Sequence, residues 1–173
     1  MNLFDHITEN PRISLNLAAL ASAMLLAMAF IFEYGMGLEP CTLCIWQRWP
    51  HGIMAGLGVA AFILPRGILP LGILRLIMLT GLVTLLAGAG VAGWHSGVEW
   101  GVLPGPTACS GGVSLDGDPG AALDALLSSA PVRCDEVPWS LFGLSMANWN
   151  GLASIALAAF MLISFQRSAM TYR

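Results

Sequence analysis

Apolar residues gather into four long runs, at 14–32, 45–64, 76–94 and 141–165, with polar or turn-forming residues between them. Each run is close to the ~20 residues that a helix needs to cross the hydrocarbon core of a bilayer. None shows the strict alternation of a half-buried strand. The pattern predicts an all-α integral membrane protein, a four-transmembrane-helix bundle formed as a single domain. Gln47, Arg48, Pro50 and His51 interrupt the start of the second run, which sets its outer turn at the membrane interface. Pro65, Arg66, Gly67 and Pro70 mark a tight turn between the second and third runs. The segment 33–44 is a short loop, while 95–140 is long and rich in Gly and Pro. Within it, Asp118-Pro119 has the form of a helix cap followed by proline at the first position. Ala122, Leu123, Leu126 and Leu127 then predict a short interfacial helix over 119–129. Gly52 and Gly56, and the small residues Gly88, Ala89, Gly90, Ala92 and Gly93, are expected where helices approach closely.

Composition agrees with this pattern. The chain of 173 residues is 57% hydrophobic and 10% charged, against about 25% charged in soluble domains. A net charge of −3 gives no basis for a nucleic-acid partner. The first apolar run is long for a secretory signal and lacks a small-residue cleavage site after it, so it is expected to be a retained span. There is no lysine, and five of the seven arginines (Arg12, Arg66, Arg75, Arg167, Arg173) lie at the termini or in the 65–75 turn. Positive charge marks the cytoplasmic side, so both termini are expected inside. The six tryptophans and eight of the ten carboxylates fall on the opposite side.

On that outer side lie all four cysteines. Cys41 and Cys44 form a Cys-x-x-Cys unit after Pro40, at the start of the second span. A helix N-terminus favours an anion, and a thiolate there is stabilised. Arg48 follows Cys44 by one helical turn and shares its face; a guanidinium beside a thiolate stabilises it further and can hold a carbonyl oxygen. Cys109 and Cys134 are exposed residues of the long loop, outside the cytoplasm, where disulfides persist. Taken alone, the loop pair reads first as a structural staple. A zinc site would call for a second close cysteine pair or a histidine couple, and His6, His51 and His95 show no such spacing.

Together these features resemble the bacterial disulfide-bond formation protein B (DsbB) family. The resemblance rests on Pro40-Cys41-Thr42-Leu43-Cys44 with Gln47-Arg48, on His95 at the end of the third span, and on the pair Cys109/Cys134. The segment Trp139-Ser140-Leu141-Phe142-Gly143-Leu144-Ser145-Met146 matches as well, and the likeness extends over about residues 14–165. Better-known members carry Val where Thr42 stands and often Glu in place of Gln47.

The resemblance implies an inner-membrane thiol:quinone oxidoreductase with its cysteines in the periplasm. A reduced, DsbA-like thioredoxin-fold oxidase would attack Cys109 to form a mixed disulfide. Cys134 would then exchange with Cys41, and Cys44 would face the membrane quinone, ubiquinone or alternatively menaquinone. Arg48 would hold the quinone oxygen and His95 would line its pocket. Such an oxidase is itself strongly oxidising, so its re-oxidation needs a stronger sink than a glutathione buffer. Two other readings compete. One is a quinone-linked thiol enzyme of the vitamin K epoxide reductase type. The other is a non-enzymatic scaffold or metal-handling protein whose loop is stapled.

Overall fold

The computed structural model describes residues 3–65, 68–109 and 132–171. The expected interfacial helix at 119–129 lies outside the described residues. Those described form a bundle of four long helices preceded by a short one. The short helix α1 spans Leu3–Glu9, and α2 spans Pro11–Phe30, continuing into a π-helical turn at Ile31–Gly35. Next come α3 (Thr42–Ile63), α4 (Leu71–Glu99) and α5 (Met146–Thr171).

Three of these elements are long and apolar enough to cross a membrane: Pro11–Gly35, Leu71–Glu99 and Met146–Ser168. The protein is therefore a helical membrane protein. The 22-residue α3 has the length, but its first half carries Gln47, Arg48, Pro50 and His51. Lipid-facing positions account for exposed residues such as Phe62, Leu76 and Val83, since a bundle in a bilayer needs no polar exterior.

Local signals set the helix ends. Asn10 caps α2, its side-chain oxygen accepting from Arg12 N (3.1 Å) and Ile13 N (3.3 Å), with Pro11 at the first position. Helix α3 ends at its junction with α2, where Arg12 Nη1 donates to the carbonyls of Ala61 (3.0 Å) and Leu64 (2.9 Å). These are carbonyls with no partner inside their own helix. At the same end Arg75 donates to Ser168 O (3.0 Å), and Arg167 pairs with Asp5 and stacks on the Phe4 ring.

Helix α2 packs along α3, α3 along α4, and α4 along α5. The main core joins Leu15 and Ala18 of α2, Met54 and Ala61 of α3, Met78, Leu82 and Leu85 of α4, and Ala158 and Met161 of α5. The closest crossing falls at Gly58, not at Gly52 or Gly56. A Cβ on Gly58 would lie 2.0 Å from Ala19 Cβ, whereas Gly52 and Gly56 face open space. Gly88 does make a close approach, to Pro50 of α3, while Gly90 and Gly93 do not.

Helix α4 runs past Trp94 to Glu99, so His95 is a helical residue packed inside the bundle. Residues Ser140–Leu141 (β1) and Leu144–Ser145 (β2) form a small antiparallel hairpin ahead of α5. Its two central residues, Phe142 (φ 53°) and Gly143 (φ 77°), both take the left-handed conformation that suits a tight hairpin.

Candidate functional site

The end of the bundle away from Arg12, Arg75 and Arg167 holds every candidate site residue. Cys41 is the N-cap of α3, and its Sγ accepts from Cys44 N at 3.3 Å. Cys44 lies in the first helical turn with its Sγ 3.0 Å from that of Cys41; both are free thiols. His95 Nε2 approaches Cys41 Sγ at 3.6 Å. The sequence spacing gave no hint of this contact, because His95 comes from another helix, 54 residues on.

The loop after α4 folds back onto this corner. Val102 N and Leu103 N donate to Gly97 O (2.9 and 3.0 Å), and Trp94 Nε1 donates to Pro104 O (3.1 Å). Leu103 lies so close over Gly97 that a Cβ there would meet its Cδ1 at 2.6 Å, so any larger residue would force the Leu103 side chain to shift. This return brings the short 3-10 turn Thr107–Cys109 against α3.

Cys109 is bonded to Cys134, with Cα atoms 5.2 Å apart. The expectation that these two are exposed is corrected here: Cys109 is 4% exposed and Cys134 fully buried. They pack with Cys41, Leu43 and Val98 into one apolar cluster, against which Cys44 and Trp94 also rest. All four cysteines are therefore neighbours, because Cys109 and Cys134 find cover against the start of α3 and the end of α4.

A cavity of about 930 Å³ opens beside the first pair. Cys41, Cys44, Arg48 and His95 line it together with Leu25 and Ala29 of α2, Phe32 of the π-helical turn and Trp139. An apolar-walled space of this size with convergent polar groups suits a largely apolar ligand. Arg48 reaches it with its Nη1 2.5 Å from Glu33 Oε2 and its guanidinium 5.0 Å over the Phe30 ring. A smaller cavity of about 340 Å³ borders Cys109, with Arg133 and Asp135 on its rim. There Arg133 Nη2 donates to Asp135 Oδ2 at 2.6 Å, and this bond holds the Asp135 carboxyl below its ordinary range.

Behind the cysteines lies a buried polar network that sequence reasoning missed. Gln47 contacts His95 Nδ1 at 2.7 Å, Asn150 of α5 donates to Gln47 Oε1 at 2.7 Å, and His51 meets Asn150 Oδ1 at 2.8 Å. Glu99 lies 3.8 Å from His95 Nε2 and is held by Ser145 Oγ at 2.5 Å. A signal was available, since polar residues inside apolar spans are functional candidates by default and Gln47 and His51 share one face of α3. The donor atoms of Cys41, Cys44 and His95 all lie within 4.8 Å of one another, a grouping that a soft cation could use in geometric terms.

A helical membrane protein with a free Cys-x-x-Cys pair on a cavity and a bonded loop pair packed against it belongs to the class of membrane thiol–disulfide proteins. The family model described as "Disulfide bond formation protein DsbB" matches residues 11–164. A relative named "Disulfide bond formation protein B" from Polaromonas sp. is 33% identical over 166 residues, 92% of this chain and 93% of its own length. One of the same name from Methylococcus capsulatus is 37% identical over 158 residues, 86% of this chain and 90% of its own. A third, from Haemophilus influenzae, is 34% identical over 134 residues, covering 77% and 73%. The chain belongs to the DsbB family of disulfide bond formation proteins, and with it to the membrane oxidoreductases of disulfide formation.

Proposed function

We propose that this protein is an inner-membrane thiol:quinone oxidoreductase that re-oxidises a periplasmic, DsbA-like thioredoxin-fold dithiol. The observation that carries this reading is the single buried cluster of four cysteines with Cys44 on the wall of the large cavity beside Arg48. The partner's thiolate attacks Cys109 Sγ, and Cys134 leaves as a thiolate. Cys134 then attacks Cys41 of an oxidised Cys41–Cys44 pair, and Cys44 leaves as a thiolate facing the cavity. The partner's second thiolate attacks the mixed disulfide, carrying away the partner's own disulfide and freeing Cys109. Cys109 then attacks Cys134 of the Cys41–Cys134 bond, and Cys41 leaves as a thiolate. The two electrons and two protons from the partner then rest on the Cys41–Cys44 pair. A quinone in the cavity, ubiquinone or alternatively menaquinone, would take up those two electrons and two protons. Arg48 is suited to orient a carbonyl oxygen there.

The arginines support the orientation. Arg12, Arg75 and Arg167 gather at one end of the bundle and the cysteines at the other, which supports an orientation with both termini and the arginine end in the cytoplasm. In that frame α3 is the fourth span, its polar first half shielded by α2, α4 and α5.

Trapping tests the order of exchange. In a Cys134→Ser variant, Cys109 should form a stable mixed disulfide with a DsbA-like partner. A Cys109→Ser variant should form none. Equal adducts in both variants, or none in either, would contradict the assigned entry point.

A further inference from the structure

Among the described residues, one continuous buried polar chain crosses all four long helices and ends on Cys41. Ser22 Oγ of α2 lies 3.4 Å from His51 Nδ1 of α3, and His51 Nε2 lies 2.8 Å from Asn150 Oδ1 of α5. Asn150 Nδ2 donates to Gln47 Oε1 at 2.7 Å, Gln47 Nε2 lies 2.7 Å from His95 Nδ1 of α4, and His95 Nε2 lies 3.6 Å from Cys41 Sγ. Gln47, His51 and His95 are each at most 5% exposed.

The direction of every bond follows from one fixed point. The Leu43 carbonyl can only accept, and it takes Gln47 Nε2 at 3.3 Å, which identifies that end of the amide as the NH₂. His95 Nδ1, facing the same NH₂, must then accept, so the imidazole proton sits on Nε2. Cys41 Sγ at 3.6 Å and Glu99 Oε1 at 3.8 Å face Nε2, and both are acceptors, as is the Cys134 backbone carbonyl that also bonds the ring. On the other side, Gln47 Oε1 takes the NH₂ of Asn150. Asn150 Oδ1 therefore accepts from His51 Nε2–H, and His51 Nδ1 accepts from the Ser22 hydroxyl. All donors point toward Cys41.

We propose that Gln47 is a positioning residue that, held by Leu43, Asn150 and His51, fixes His95 as the tautomer protonated on Nε2 and aims that proton at Cys41 Sγ. The two cysteines are thereby made unequal: Cys41 receives the His95 donor, while Cys44 faces the cavity that both line. Under the function proposed above, on which this consequence rests, Cys41 is the sulfur that Cys134 attacks and that leaves as a thiolate when Cys109 takes Cys134 back. A hydrogen bond to the charged form favours that state.

The test is imidazole nitrogen NMR on the full chain in detergent, with His95 assigned by loss of its signals in His95→Gln. The parent should show Nε2 protonated and Nδ1 bare. Gln47→Glu, whose carboxylate can only accept from Nδ1, should move a proton onto Nδ1. In a background where Cys41 is the only cysteine, Gln47→Leu should slow its alkylation about tenfold, the loss expected for a hydrogen bond to a charged group. Asn150→Leu and His51→Phe, remote from the thiol, should give smaller losses in the same direction, and they keep the test open if Gln47 variants do not fold. A parent with its proton on Nδ1, or a Gln47→Leu protein with tautomer and alkylation unchanged, would overturn the proposal. A parent with the expected tautomer but no quinone-linked turnover would overturn the function and leave the positioning role standing.

Discussion

Arg48 Nη1 stands 2.5 Å from Glu33 Oε2, and each side chain is only 20% exposed, so the cation on the cavity wall is paired with a carboxylate from the preceding helix. Glu33 sits in the π-helical turn Ile31–Gly35, a distortion often found at functional sites. The pair leaves Arg48 oriented and partly neutralised rather than a free charge in an apolar space.

From this follows a graded expectation for ligand affinity. Arg48→Ala should raise the quinone KM about tenfold or more, as loss of a charge-assisted hydrogen bond would. Glu33→Gln should raise it less than about threefold, because the amide oxygen still accepts from Nη1. Steady-state kinetics over a range of quinone concentrations separates the two, and an unchanged KM in Arg48→Ala would remove Arg48 from the site.

The crossing of α2 and α3 at Gly58 predicts a specific suppression. Gly58→Ala sets a methyl group 2.0 Å from Ala19 Cβ, an overlap that should cost about 1–3 kcal/mol. Adding Ala19→Gly should recover most of that loss. Thermal unfolding of the single and double variants in detergent measures both; additive losses would place the close contact elsewhere.

Much of the fold was legible because a bilayer imposes a simple code. Runs of apolar residues near 20 long announced a helical membrane protein, although the first run, counted from residue 14, missed the Asn10-Pro11 cap that starts α2. Glycine spacing was less informative. Gly52 and Gly56 fit a small-xxx-small pattern, yet the packed position is Gly58, because which face of a uniformly apolar helix meets its neighbour is set by the whole bundle. The cysteine pairs and Arg48 could be named from sequence, since their chemistry is local. That Cys109 and Cys134 are buried, and that His95 reaches Cys41 from 54 residues away, depends on how the loop after α4 folds back. No local pattern encodes that return, and the same holds for the alignment of Gln47, His51 and Asn150 across two helices.

At the hairpin before α5, Phe142 adopts φ 53° and is 88% exposed. A left-handed conformation costs a bulky L-residue roughly 1–2 kcal/mol, and asparagine tolerates it better. Phe142→Asn, giving Asn-Gly at the turn, should therefore stabilise the protein by up to about 1 kcal/mol in detergent. A loss of stability in the thermal melt would mean that the exposed ring makes contacts worth more than the backbone strain.

Ser145 joins two functions in one hydroxyl, accepting from Asn148 N (3.2 Å) at the start of α5 and donating to Glu99 Oε2 (2.5 Å). Ser145→Ala should cost about 1 kcal/mol as a lost cap, and Ser145→Thr, which keeps the hydroxyl, should cost less. Chemical or thermal unfolding of the two variants side by side gives the answer.

Quinone consumption by the purified protein in detergent, with a reduced DsbA-like dithiol as donor, tests the central claim most directly. The parent should reduce the quinone as the donor becomes oxidised, one quinone per disulfide formed, and Cys44→Ser should be inactive. A parent that oxidises no donor with any quinone, or a Cys44→Ser variant that turns over as fast as the parent, would contradict it.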